Sequence, residues 1–176
     1  MRRLRYSVAM SLDGYIAGPK GEYDWIVNDP ENDLGAKFRE FDTLLMGRKT
    51  YELVQAQSKN KGMGMRVVVV SGTLNPARHP QVEVITGNIA ASVAALKAEP
   101  GKDIWLFGGG GLLRTLASVG LMDSIELAIV PVLLGGGVPV IAPGGNCKLR
   151  LRDQRALARS GILLVNYDVV NAPAAG

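Results

Sequence analysis

Ile104-Trp105-Leu106-Phe107-Gly108-Gly109-Gly110-Gly111-Leu112-Leu113-Arg114-Thr115-Leu116 is the stretch whose reading decides the fold. Four apolar residues in a row, with no polar alternation, describe a strand covered on both faces. The strand runs directly into four glycines and then a helix from Leu112 to Val119. A doubly covered strand followed at once by a helix belongs to a sheet sandwiched between helix layers.

The same design recurs on either side. Thr43-Leu44-Leu45-Met46 is a short buried strand followed by Gly47 and a helix from Arg48 to Gln55. Arg66 to Val70 carries four consecutive valines and ends at Ser71-Gly72-Thr73. Val82 to Ile85 is a further strand, with an Ala-rich helix from Ile89 to Ala98 after it. Arg5 to Met10 opens the series, and Ser11 to Pro30 is a long loop of the kind that compact domains keep for function. Leu34, Phe38 and Phe41 fall on one helix face, and Glu31 and Asp33 lie where acidic residues favour a helix start. Ser124 to Val132 is a strand, and Lys148 to Arg155 pairs with Ile162 to Val170 through a turn at Ser160-Gly161. These readings predict one α/β domain over residues 1–176. It has three layers and a mostly parallel sheet, with a C-terminal antiparallel hairpin. Asn171 to Gly176 reads as a frayed tail.

Composition narrows the chemistry. Of 176 residues, 47% are apolar and 20% charged, which excludes a disordered chain, and the 22 glycines follow no collagen period. A lone Cys147 and a lone His79 leave no cluster for zinc, haem or an iron–sulfur centre, so no metal is expected. The net charge of +4 resides in one strip, Lys148, Arg150, Arg152, Arg155 and Arg159 against Asp153. Its alternation with Leu149 and Leu151 reads as a half-buried strand with a solvated cationic face. Without interleaved aromatics it does not call for nucleic acid. From Leu127 to Cys147 no charge occurs, but Pro131, Pro139, Pro143 and five glycines exclude a spanning helix. The stretch reads as a strand, a Gly-rich loop and a second short strand. Met1 to Leu12 is the first strand rather than a leader, and a soluble, cytoplasmic protein is expected.

In open α/β sheets ligands bind beyond the carboxyl ends of the strands. Gly47-Arg48-Lys49-Thr50, Ser71-Gly72-Thr73 and Gly108 to Gly111 all occupy such ends. Two of them open helices, where free amides and a positive dipole suit a pyrophosphate. Each glycine alone also fits a tight turn, and Lys49 also fits a solvated surface. The Rossmann pattern G-x-G-x-x-G fails in both registers, meeting Leu113 or Arg114 where glycine is required. The P-loop pattern fails as well.

Ala9-Met10-Ser11-Leu12-Asp13-Gly14-Tyr15-Ile16-Ala17, Leu45 to Glu52, the strand ending at Ser71 and the run Gly108 to Gly111 together resemble the dihydrofolate reductase-like superfamily. The Ser-Leu-Asp-Gly segment is most similar to the riboflavin-biosynthesis reductase domain and its stand-alone relatives. The resemblance implies a mainly parallel eight-stranded sheet, NADPH as hydride donor and a small heterocyclic substrate of pyrimidine or pterin type. The activity it points to first is like that of 5-amino-6-(5-phosphoribosylamino)uracil reductase. Dihydrofolate reduction, or dinucleotide or pterin binding without turnover, is the alternative. It also implies a homodimer. The zinc-deaminase motifs H-x-E and P-C-x-x-C are absent, so any deaminating partner is another chain.

Carried over by position, Ala9, Ile16 and Ala17 face the nicotinamide, and Gly47, Arg48, Lys49 and Thr50 hold phosphates. Ser71, Gly72 and Thr73 flank the adenosine. Gly108, Gly109, Gly110, Gly111 and Leu112 support the pyrophosphate and ribose. On the substrate side the candidates are Asp13, Asp24, Trp25 and Tyr51. Asp24 is favoured over Asp29 and Asp33 as the carboxylate that assists protonation. Asp13 also fits a cap on the turn at Gly14, Asp33 a helix cap, and Trp25 plain packing.

Overall fold

The structure, a computed structural model, describes residues 1–57 and 64–170. The predicted tail from Asn171 lies outside them. In chain order the elements are β1 (Leu4–Ser11), β2 (Tyr15–Ala17), α1 (Leu34–Phe38), β3 (Phe41–Gly47), α2 (Arg48–Gln57), β4 (Arg66–Val70), β5 (Glu83–Ile85), α3 (Ile89–Ala98), β6 (Asp103–Leu106), α4 (Gly110–Ser118), β7 (Ser124–Val130), β8 (Val138–Pro139), β9 (Lys148–Ala156) and β10 (Leu163–Val170). The eight-stranded sheet has the order β5-β4-β3-β6-β1-β7-β10-β9. All neighbours from β5 to β7 are parallel, and β10 pairs antiparallel with both β7 and β9. This is the α/β architecture the strand and helix alternation predicts.

The strand period of two sorts side chains onto two unlike faces. On one face Leu4, Tyr6, Leu45, Val68, Ile104, Leu106 and Ile125 pack against Val93 and Leu96 of α3 and Leu113 and Leu116 of α4. Each such residue, fully buried, is worth about 1.5–3 kcal/mol. On the other face Phe41, Leu44, Met46, Val69 and Trp105 form a second core with Tyr51 of α2. Here Trp105 is ringed by Phe38, Phe41 and Phe107 at centroid distances of 5.2–5.3 Å. Arg5, the alternate residue of β1, falls on this second face, with its guanidinium 4.7 Å above the Phe41 ring.

Four expectations are corrected. Phe41 is not on a helix face: α1 ends at Phe38 with Arg39 as its cap, and Phe41 opens β3. α4 begins at Gly110, inside the glycine run, rather than at Leu112. Gly108 and Gly109 take φ of +67° and +74°, and a Cβ at Gly110 would lie 2.6 Å from the Pro139 carbonyl oxygen. Glycine is therefore needed at three successive positions, first for backbone sign and then for close approach. The long loop after β1 holds β2, which pairs with β8, the short strand expected beyond the Gly-rich loop. Finally, Lys148 to Arg155 is not half-buried: every residue of β9, including Leu149 and Leu151, is exposed at the sheet edge. No helix among the described residues is long and apolar enough to cross a membrane.

Candidate active site

Because β4, β3, β6 and β1 are parallel neighbours, their carboxyl ends open on one edge. β3 ends at Gly47 and α2 starts at the next residue. The end of β6 leads through Phe107, Gly108 and Gly109 into α4. A Cβ on Gly108 would stand 3.0 Å from the Thr50 side chain, so the first turn of α2 and the glycine run meet. The predicted segments 47–50 and 108–112 thus form one cradle.

Within the cradle the backbone lies bare. A Cβ at Gly47, Gly72 or Gly111 would have no atom within 4 Å, and Gly109, the residue before α4, offers its first amides no side-chain cap. Arg48 and Lys49 are exposed beside it, and Arg48 Nη1 donates to Glu52 Oε1 at 2.8 Å. The Ser71 hydroxyl accepts from the amides of Thr73 and Leu74, at 3.1 and 2.9 Å, which fixes the turn after β4. Bare glycine, an uncapped helix start and two cations fit a dinucleotide pyrophosphate with an added phosphate.

Ala9, at the far end of β1, borders a cavity of about 670 Å³ on the second face of the sheet. Its floor is Ser7, Ala9, Trp105, Ala128 and Leu164, and Ile26, Val27, Leu34 and Lys37 close it from the loop and α1. Trp105 Nε1 donates to the Ser7 carbonyl at 2.8 Å, which fixes the indole. Ile16 and Ala17 lie on β2, beside Gly137, where any Cβ would strike the Ala17 carbonyl oxygen.

One wall of the cavity is charged. Glu126 of β7 is buried and accepts from Arg5 Nε and Nη2, at 2.8 and 3.0 Å, and from the Ser124 hydroxyl at 3.0 Å. Lys37 of α1 donates to its second oxygen. Arg5 in turn meets Glu40 at 2.6 Å and Asp103 at 3.0 Å. Burial pushes the Glu126 carboxyl up, but the hydrogen bond from Arg5 and the charges of Lys37 and Arg5 outweigh it and hold it down at about 2. This ion pair and the contact of Phe38 with Trp105 tie α1 to the sheet beside the cavity.

The substrate-side candidates are not brought together. Asp24 is exposed and stands outside the cavity lining. Trp25 donates Nε1 to the Glu22 carbonyl at 3.1 Å and packs beside Val130, Leu157 and Ile162. The Asp13 carboxylate accepts from the Ser11 hydroxyl at 2.6 Å and the Gly135 amide at 2.7 Å, pinning the Gly-rich loop to the end of β1. Those bonds, from Ser11 first, hold its carboxyl below the usual range. Tyr51 turns away from the cavity: its hydroxyl meets His79 Nδ1 at 3.1 Å and accepts from Gln81 at 2.7 Å, and burial pushes its phenol up. Asp29 and Asp33 do line the cavity; Asp33 also caps α1 through the Ala36 amide at 2.8 Å.

Sequence reading passed over Arg5, Lys37, Glu126 and the amides Asn28, Asn32 and Asn166, which all belong to the cavity or its wall. A signal existed for two of them. Arg5 and Glu126 each place a charge inside an otherwise apolar strand, which burial forbids unless a partner waits there.

Comparison with known proteins gives the family. The RibD C-terminal domain model matches residues 2–164, and the chain belongs to that family. It is 35% identical to the uncharacterized protein YyaP of Bacillus subtilis, over 94% of each chain. It is 26% identical to the riboflavin biosynthesis protein RibD of Corynebacterium ammoniagenes, covering 76% of this chain and 44% of that one. Among solved structures, a putative riboflavin biosynthesis protein from Shewanella sp. PV-4 matches with a TM-score of 0.82 and 26% identity, over 97% of this chain and all of the other.

Proposed function

As a reading of this RibD C-terminal domain member, we propose an NADPH-dependent reductase that acts on a planar nitrogen heterocycle held in the cavity beside Ala9. The observation that carries the proposal is that one strand serves two unlike spaces: β6 places Trp105 in the cavity floor and, through Phe107, leads into the glycine run that opens α4. NADPH, when bound, supplies the hydride.

The chain's own residues do the rest. Gly47 and Gly108 to Gly111 admit phosphates to backbone amides, and Arg48 and Lys49 add the cations that favour a further phosphate. Ala9, small and at the strand end, leaves room for one ring to face another across it. Trp105, Leu164 and Leu34 confine the substrate, so that orientation rather than covalent chemistry lowers the barrier. Asp33, in the lining, takes the role expected of Asp24 and passes a proton through water to the reduced ring.

Thermal-shift titration with NADPH and with NADH tests the cofactor half. NADPH raises the melting temperature more than NADH does, and Arg48→Ala removes most of that difference. No shift with either nucleotide overturns the proposal. Loss of reduced-nicotinamide absorbance with an aminopyrimidine or a dihydropteridine tests turnover.

A further inference from the structure

Resting on the reductase reading, which makes the cavity the substrate site, we infer that the heterocycle it accepts carries no phosphate and presents neutral or cationic N–H groups. Five carboxylates belong to the lining, those of Asp29, Glu31, Asp33, Glu40 and Glu126, against two cations, Lys37 and Arg155. Lys37 is already spent on Glu126. Glu126 and Glu40 are answered by Arg5 from below. Asp29 is answered by the Ser160 hydroxyl and the charge of Arg159, which leaves Glu31 and Asp33 with Arg155, whose Nη2 donates to the Glu31 carbonyl at 2.7 Å.

A phosphate entering here meets one guanidinium and two carboxylates that no cation answers, and like charges at such range repel. α1 offers no free amide turn to offset that, because Asp33 already caps it. The favourable partners are of another kind. Asn28, Asn32 and Asn166 bring amides that both donate and accept, matched to a lactam or aminopyrimidine edge, and carboxylates accept from ring amines. The anion-binding features, bare glycine and the exposed Arg48 and Lys49, all lie at the strand-end cradle instead.

A matched pair of ligands decides the matter: an aminopyrimidinone with a ribityl chain, and the same compound phosphorylated at the end of that chain. Isothermal titration of the full chain, without nucleotide, gives both affinities. The unphosphorylated compound is expected to bind at least tenfold more tightly, and Glu31→Lys, an exposed position, is expected to move the ratio at least tenfold toward the phosphorylated one. Equal or tighter binding of the phosphorylated compound overturns the inference, as does failure of both compounds to bind while NADPH still shifts the melting temperature. Preferential binding of the unphosphorylated compound with no response to either nucleotide upholds it and overturns the reductase reading instead.

Discussion

The strand ends at Gly47, Ser71 and Gly108 present bare backbone and the cations Arg48 and Lys49, whereas the cavity reached three residues earlier, at Trp105 on β6, and beside Ala9 on β1 is walled by carboxylates and a buried ion-pair cluster. The first region is built by leaving side chains out, so what it offers a ligand is bare backbone. The second is built by burying charge, which only a fixed geometry tolerates. Two regions that share one sheet therefore differ in electrostatic sign, and under the proposed function a cofactor carrying several phosphates would be steered toward the first and away from the second.

The comparison breaks most visibly at Glu126. Glu126→Ala leaves the Arg5 guanidinium, whose side chain is 9% exposed, without its bidentate partner and frees Lys37 from the sheet. A stability loss of about 3–5 kcal/mol is expected in urea unfolding. Substrate binding falls with it, while the NADPH shift of the folded fraction persists. A loss under 1 kcal/mol would mean that the cluster is not the foundation of the cavity.

Acid titration probes the same wall without mutation. The Glu126 carboxyl, ordinarily near 4.5, is held at about 2 in the folded chain, so the folded state binds its proton less readily than the unfolded one. Its contribution is complete above about pH 4.5 and is lost as pH falls toward 2, by about 3 kcal/mol over that window. Stability of Glu126→Gln, measured between pH 5 and 2, should lack that part of the slope.

The cradle breaks differently. In Gly110→Val the new side chain meets the carbonyl oxygens of Pro139 and Val140, which lie 2.6 and 3.0 Å from its Cβ. About 1–3 kcal/mol of stability is expected to be lost. Nucleotide affinity falls as the start of α4 is displaced. Substrate affinity, read by titration of the heterocycle alone, is expected to hold.

What was legible in the sequence follows the same division. Glycine at a strand end is local information: Gly47, Gly72 and Gly108 to Gly111 announce themselves beside runs such as Val67 to Val70, and the cradle was readable from order alone. The cavity depends on pairs far apart in the chain, Arg5 with Glu126 and Lys37 with Glu126, and no local pattern says which charge meets which. Phe41 shows the limit within a single element. Its spacing from Phe38 fits a helix face, but stacking on Trp105, 5.2 Å away and 64 residues on, draws it into the sheet. The alternation in β9 suggested a buried apolar side, yet Leu149 and Leu151 are exposed because α4 and its neighbours cover only the strands nearer the centre.

A smaller effect sharpens the cradle's half. Arg48 is exposed and its bond to Glu52 is an ordinary surface pair, so Arg48→Ala should change stability by less than about 0.5 kcal/mol. NADPH affinity should fall about tenfold, equivalent to about 1.4 kcal/mol, with NADH affinity unchanged. An equal fall for both nucleotides would place Arg48 on the shared pyrophosphate rather than on the added phosphate.

The finest distinction is between two carboxylates, Asp24 and Asp33. Both are exposed, but Asp33 lies in the cavity lining at the start of α1 whereas Asp24 stands outside it. A general acid has to come within hydrogen-bond reach, directly or through one water, of the atom it protonates, and only the lining carboxylate stands beside a ring held in the cavity. Asp24→Asn should therefore leave kcat within about twofold of the parent, whereas Asp33→Asn, which keeps an oxygen to cap α1, should lower kcat by about 10²-fold with KM less affected. A large fall in kcat for Asp24→Asn alone would mean that the loop from Ser11 to Pro30 folds inward when substrate binds, and that the cavity's acid comes from the loop rather than from the helix.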